Sequence, residues 1–146
     1  MADKFALILI TLWVGAIWSI GALAAPTLFY FTPDRQLAGA LAGHMFTFVA
    51  YIGMVSGGYL LLHRLVRVGM SAFKQRFFWS VFVMLLLTLI GHFGIQPIIA
   101  ELKAQALPAD VMESVFASRF KAWHGIASVA YVVEGLLGFI LVLRQK

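Results

Sequence analysis

Four long apolar stretches, separated by short polar segments, dominate the hydrophobic pattern of this chain. They are Phe5–Ala25, Leu37–Leu62, Phe77–Ile99 and Ala122–Leu143. Each has about the 20 apolar residues that a helix needs to cross the hydrocarbon of a bilayer. In lipid the backbone must satisfy its own hydrogen bonds, so we expect helices; a β-barrel would show alternating segments of about 10 residues. The pattern therefore predicts an all-α fold, an integral membrane four-helix bundle in which residues 1–146 form a single domain.

The composition supports a protein that lives in lipid. Hydrophobic residues make up 62% of the chain and charged residues 12%, and the mean hydropathy is +0.95. Because soluble domains carry about 25% charged residues, this chain has too little charge to cover its surface in water. The chain has no cysteine, which excludes disulfides, thiolate metal sites and c-type haem attachment.

The net charge of +5 indicates how the chain is oriented in the membrane. The basic residues lie between the apolar stretches, so we expect no nucleic-acid partner. If both termini are cytoplasmic, the inner set of cations outnumbers the outer set, as membrane proteins favour. The inner set is Lys4, Arg64, Arg67, Lys74, Arg76, Arg144 and Lys146, and the outer set is Arg35, Lys103, Arg119 and Lys121. The charges therefore predict that both termini are cytoplasmic.

The first apolar stretch has two features that affect where its helix ends. Lys4 and the sequence Ala22-Leu23-Ala24 resemble a signal peptide, but the stretch is longer than a usual signal core, so we expect a retained helix. Pro26 removes a backbone N–H and ends or kinks a helix. We interpret it as the helix end near the outer surface.

The polar segment before the fourth stretch, at about residues 109–121, is also expected to be structured. Asp110 and Glu113 resemble a capping box, and apolar residues follow at helical spacing. The pattern predicts either a short amphipathic helix on the outer interface or an extension of the fourth span.

Small and polar residues recur along one side of three spans. Span two has Gly39, Gly43, Ala50, Gly53 and Gly57; span four has His124, Ser128, Tyr131, Gly135 and Gly138; span one has Thr11, Gly15, Trp18 and Ala22. Small residues let helix backbones approach closely in lipid. We interpret these stripes as the inward faces of one bundle.

Three histidines inside the apolar stretches are candidate cofactor or metal ligands. His44 and His92 each lie about seven residues from the outer end of their span, roughly 10 Å deep, and His124 begins span four from the same side. Neutral imidazole binds copper and zinc and is an axial ligand of haem. The sequence therefore suggests a site for copper, zinc or haem b, with a structural polar network as the alternative. His63, beside Arg64, is interpreted as a solvated flanking residue.

Glu134 is the one carboxylate deep inside an apolar stretch. It lies about ten residues into span four and has no Lys or Arg at its depth. Ionisable residues at this depth usually face the bundle interior and have a role. We expect a neutral carboxyl bonded to a Thr or Ser, and a candidate proton site.

Several motifs together resemble a known family. They are Leu12-Trp13-Val14-Gly15, Ala25-Pro26-Thr27-Leu28-Phe29, Ala38-Gly39-Ala40-Leu41-Ala42-Gly43 with Phe46, Gln96-Pro97 and His124-Gly125. They are similar to an uncharacterised bacterial family of four-helix membrane proteins related to eukaryotic TMEM-type proteins linked to platinum-drug resistance. The resemblance implies a multi-pass protein of the bacterial inner membrane. The layout is more distantly similar to CopD-type copper-resistance proteins and to the haem-containing protoporphyrinogen oxidase of bacteria, whose first-helix histidine is missing here.

Three functions remain open from the sequence. The first is a membrane protein that binds copper or haem through His44, His92 and His124. The second is an accessory or structural subunit that binds a membrane-protein partner or a second copy of itself. The third is a haem-type membrane oxidoreductase. No nucleophile, phosphate-loop or paired-carboxylate motif is present, so an enzyme is the less favoured interpretation.

Overall fold

The computed structural model describes residues 2–144, which form four long helices and no strand. The helices are α1 (Asp3–Phe31), α2 (Arg35–Val68), α3 (Arg76–Ala106) and α4 (Ala117–Leu143). All four are long and apolar enough to cross a membrane. The all-α prediction is confirmed. The cytoplasmic location of both termini stays a prediction, and Lys146, one of its inner cations, lies outside the described residues.

The helices form a ring in which each packs against two neighbours. Helix α1 packs on α2 and α4, and α3 packs on the same two helices. The core therefore lies on the axis between α1 and α3, which are diagonal to each other. Its fully buried side chains include Trp13, Ile17, Val81 and Met84. Many large apolar side chains lie on the outside of the ring, as expected of a surface that faces lipid.

Short caps fix the connections at one end of the bundle, which we call the Asp34 end. The Asp34 carboxylate accepts hydrogen bonds from the backbone N–H groups of Gln36 and Leu37 at 2.9 and 3.1 Å, and so begins α2. In the segment predicted at 109–121, Asp110 caps a three-residue 3₁₀ turn, Val111–Glu113, and α4 begins at Ala117. The opposite end, the Asp3 end, contains the α2–α3 connection, Gly69–Lys74.

Helices α1 and α3 each contain a π-helical segment shortly before a proline. Ser19–Ala24 precedes Pro26, and Ile90–Ile95 precedes Pro97. A π turn is the wider arrangement in which a helix absorbs a lost backbone hydrogen bond. The helix end expected at Pro26 is wrong, because α1 continues through the proline to Phe31.

The glycine stripes are only partly inward. A Cβ atom at Gly53, Gly57 or Gly138 would lie within 3.2 Å of a side chain on another helix, so these positions are close approaches between helices. By contrast, a Cβ at Gly15 or Gly43 would meet no atom within 4 Å. The stripe of span two therefore faces the other helices at Ala50, Gly53 and Gly57 but not at Gly43.

Candidate functional site

The three candidate histidines do not form a metal-binding group in the described structure. His44 and His124 are exposed on the outside of the bundle, and His92 is half-buried. The ring of His92 meets that of Tyr51 edge-on, with 5.3 Å between the ring centroids, and the ring of His124 stacks on that of Phe120, with 5.5 Å between the centroids. Across residues 2–144, no three His, Cys, Asp or Glu side chains are grouped so that they could hold a metal ion. The predicted copper or haem site therefore gains no support from this arrangement.

His63 is not the solvated flanking residue that its sequence position suggested. Its side chain is 16% exposed, stacks on Tyr59 and places Nε2 at 3.7 Å from the Asp3 carboxylate. Arg67 pairs with the same carboxylate at 3.2 Å. These contacts tie the start of α1 to the end of α2 at the Asp3 end.

Glu134 is a buried carboxyl near the middle of α4. Its side chain contacts α3, where the Thr88 hydroxyl lies 2.7 Å from Glu134 Oε1. Both residues are only 6% exposed. The ion pairs found within the described chain involve Asp3 and none involves Glu134. The expected carboxyl bonded to a threonine is therefore present, and the threonine is Thr88.

Hydrogen counting at Thr88 indicates the state of this carboxyl. Thr88 Oγ1 lies 2.9 Å from the Met84 carbonyl and 2.7 Å from Glu134 Oε1, and both positions are acceptors. A hydroxyl has one hydrogen to donate and can accept a second bond. Both contacts are hydrogen bonds at once if Glu134 is protonated and donates to Thr88, which then donates to Met84. The geometry fits a neutral carboxyl.

The other two helices also contribute to this site. The Trp13 side chain of α1 is 0% exposed, and its indole N–H lies beside the Glu134 carboxyl without making a hydrogen bond of acceptable geometry. Gly53 of α2 provides the space for that ring, since a Cβ there would lie 2.6 Å from Trp13 Nε1 and 3.3 Å from Thr88 Cγ2. One residue from each helix therefore meets around the carboxyl. We call Trp13, Gly53, Thr88 and Glu134 the central cluster.

Two hydrogen bonds beside the central cluster join α1 to α4. The Tyr131 hydroxyl donates to the Ile17 carbonyl at 2.7 Å, and the Trp18 indole donates to the Gly135 carbonyl at 3.2 Å. Both acceptors are backbone carbonyls. These bonds join α4 to α1 at the two residues directly before the π-helical segment Ser19–Ala24.

Sequence reasoning singled out Glu134 but missed its partners. Trp13 and Thr88 were not among the candidate site residues, and Gly53 was taken only as a packing residue. A signal was available, because each lies near the middle of its apolar stretch, at the depth of the carboxyl. Many residues lie at the same depth in the membrane, however, and the rotation of each helix determines which of them face the carboxyl.

Comparison with protein families gives a match over most of the chain. The family described as a domain of unknown function, DUF4149, matches residues 8–108. That range is more than half of the chain. The chain belongs to the DUF4149 family. No curated protein and no solved structure matches it. The relationships to TMEM-type and CopD-type proteins stay predictions.

The family match divides the candidate residues of this DUF4149 protein. Trp13, Gly53 and Thr88 lie inside the matched range, while Glu134 lies beyond its end. His44 and His92 lie inside, and His124 lies beyond. The match thus covers three of the four helices that build the central cluster.

We predict that the Thr88 hydroxyl stabilises this DUF4149 protein through its bond to Glu134. Thr88→Val should lower the free energy of unfolding by about 1.5 kcal/mol, because it leaves a buried carboxyl without its partner. Thr88→Ser should restore most of the loss. Unfolding in mixed micelles with increasing SDS, followed by circular dichroism, measures both.

The matched control is Thr47→Val on α2. The Thr47 hydroxyl donates only to the Gly43 carbonyl of its own helix, at 3.0 Å. Its replacement should change the free energy of unfolding by no more than about 0.5 kcal/mol. Equal losses at the two positions would contradict a special bond at Thr88.

Proposed function

We propose that this chain is a multi-pass membrane protein whose activity depends on reversible protonation of Glu134. The observation that carries the proposal is the central cluster, in which residues of the other three helices lie around the Glu134 carboxyl, for which the described residues provide no cationic partner. A change of charge at this point alters contacts with α1 and α3 together. Ionisable residues at such depth in membrane proteins commonly mark proton relays or substrate pathways.

The arrangement favours a proton-linked change in helix packing over a fixed structural bond. The surroundings include two donor groups, the Thr88 hydroxyl and the Trp13 indole, while in the described part of the chain the carboxyl makes one hydrogen bond, between Oε1 and Thr88. The site therefore has enough hydrogen-bond donors to stabilise both the protonated and the ionised form of Glu134.

We place the protein in the bacterial inner membrane with both termini cytoplasmic. This orientation follows from the excess of cations in the loops and tails on the Asp3 side. The Asp3 end of the bundle then faces the cytoplasm and the Asp34 end faces outward.

A second candidate, an accessory subunit of a larger membrane assembly, is favoured by a different observation. A Cβ at Gly58, Gly91 or Gly125 would meet no atom within 4 Å, so these glycines have no packing role inside the described bundle. Glycines on an outer face allow a partner helix to approach closely. Binding of copper or haem through His44, His92 and His124 stays a third hypothesis, for which the described residues offer no grouped ligand set.

Infrared difference spectroscopy tests the first candidate. Between acidic and alkaline pH, the wild-type protein in lipid should show the loss of a protonated-carboxyl C=O band and the gain of a carboxylate band. The band should be missing in Glu134→Gln, because the amide cannot release a proton. The frequency of this C=O band should be that of a hydrogen-bonded carboxyl shielded from water.

The matched control is Glu101→Gln, on the exposed end of α3. Glu101 accepts a hydrogen bond from Gln105 at 3.0 Å and is exposed, so its replacement should leave the buried-carboxyl band in place. If Glu134→Gln and wild type give the same difference spectrum, the proton-linked proposal fails and the accessory-subunit candidate takes its place.

A further inference from the structure

The indole N–H of Trp13 is a buried donor without an acceptor. The residue is 0% exposed, and Nε1 makes no hydrogen bond. Buried side-chain donors in folded proteins almost always have a partner, and leaving one unpaired costs stability. An unpaired donor at the centre of the bundle, beside the Glu134 carboxyl, needs a physical explanation.

The explanation lies in what the ionised carboxylate would require. In the neutral state Glu134 donates to Thr88, whose own hydrogen goes to the Met84 carbonyl. When the carboxyl loses its proton, it becomes acceptor-only and needs donors at both oxygens. Thr88 can turn its hydrogen from Met84 to the carboxylate. The second donor within reach is the Trp13 indole N–H.

We propose that the Trp13 indole N–H is the positioning group that stabilises the ionised form of Glu134, and that Gly53 is glycine so that this indole can reach the carboxyl. This inference rests on the proposed function and deepens it, since it names how the second charge state is accommodated. A small rotation of the Glu134 side chain completes the bond. The proton that leaves the carboxyl passes to the medium, and no bond other than its O–H is broken.

Other groups around the carboxyl do not compete for this role. Tyr131, the nearby titratable group on α4, already donates its hydrogen to the Ile17 carbonyl. Gly53 has no side chain, and Thr88 is the polar contact from α3. Trp18, the other indole on this side of α1, already donates to the Gly135 carbonyl. In the described structure, Trp13 is thus the donor near Glu134 that has no acceptor of its own.

Trp13→Phe tests the proposal, because it keeps an aromatic ring and removes the N–H. At a pH where wild type shows both infrared bands of Glu134, the ratio of ionised to protonated carboxyl should fall about tenfold, which corresponds to one hydrogen bond to a charged group. The neutral-state C=O band should keep its position, since Trp13 is not bonded in that state.

The matched control is Trp18→Phe, which removes an indole from the same helix. Trp18 loses a bond to a backbone carbonyl and none to Glu134, so the ratio should stay within about twofold of wild type. An unchanged ratio in Trp13→Phe, or an equal fall in Trp18→Phe, overturns the inference and leaves the proposed function standing.

Ultraviolet resonance Raman spectra supply a second readout in case Trp13→Phe does not fold. The difference between acidic and alkaline spectra should show the indole hydrogen-bond marker shifting in wild type but not in Glu134→Gln. A marker that is independent of Glu134 overturns the inference. If Glu134 shows no infrared protonation change at all, the proposed function fails and this inference fails with it, whereas an unchanged ratio in Trp13→Phe removes this inference alone.

Discussion

Replacing Trp13 by alanine should lower the free energy of unfolding by about 3 kcal/mol, the largest loss expected from a single truncation in this chain. The side chain is 0% exposed and fills the centre of the four-helix bundle, where it packs against Gly53 and Gly57 of α2. Lipid drives helix association weakly, so a membrane bundle depends on close packing in its core. Removing an indole there leaves a cavity that neither lipid nor a neighbouring helix can fill.

Unfolding with SDS in mixed micelles, followed by circular dichroism, measures this loss. The matched control is Trp79→Ala near the start of α3, where the side chain is 48% exposed and its indole donates to the Phe73 carbonyl at 2.8 Å. That change removes one hydrogen bond and outward-facing area, so we expect about 1 kcal/mol. A loss at Trp13 no greater than the loss at Trp79 would show that the core of the ring is not closely packed.

The four helices were predictable because the bilayer constrains a sequence more strongly than water does. A crossing helix needs an unbroken apolar stretch, and the polar segments around Asp34 and between Val68 and Arg76 interrupt the pattern where the helices end. The prolines were less predictable. Pro26 removes a hydrogen bond, but whether the helix then stops or widens into a π segment depends on tertiary packing, such as that of Ser19–Ala24 on α2, which the local sequence does not contain.

Helix rotation is the step that the sequence left open. His44 and His92 share a depth, yet His44 is turned to the outside of the bundle and His92 meets Tyr51 of α2. The same uncertainty split the glycine stripe, since a Cβ at Gly53 would meet Trp13 while a Cβ at Gly43 would meet no atom within 4 Å. Depth follows from counting residues along one helix, but rotation depends on which side chains of two helices fit together. A site made of residues from different helices therefore needs both.

Glu134 was predictable for a different reason. A carboxylate exposed to hydrocarbon is so costly that its side chain must face the interior of the bundle, however the neighbouring helices are rotated. The type of partner, a threonine or serine hydroxyl, was also predictable, because a buried carboxyl must be hydrogen-bonded. Its identity as Thr88, and the presence of the Trp13 indole beside it, depend on the ring order of the helices, which places α1 and α3 on either side of α4.

Replacing Gly53 by valine should lower the free energy of unfolding by about 3 kcal/mol, at the upper end for overpacking a core. The first added atom would lie 2.6 Å from Trp13 Nε1, 3.0 Å from Trp13 Cε2 and 3.3 Å from Thr88 Cγ2. The indole is a rigid ring enclosed on all sides, so it cannot move away as a flexible side chain would. Helix α2 must then shift away from α1 and α3, which weakens the packing along its length.

The matched control is Gly58→Val, on the same helix, where a Cβ would meet no atom within 4 Å. Valine there adds a side chain to the outer surface, and we expect a change of no more than about 0.5 kcal/mol. Both variants carry the same substitution in the same helix, so intrinsic helix propensity cancels and only the contact with Trp13 and Thr88 differs. Equal stabilities of the two variants would mean that α2 does not approach α1 at Gly53, and the central cluster would lose the space it needs.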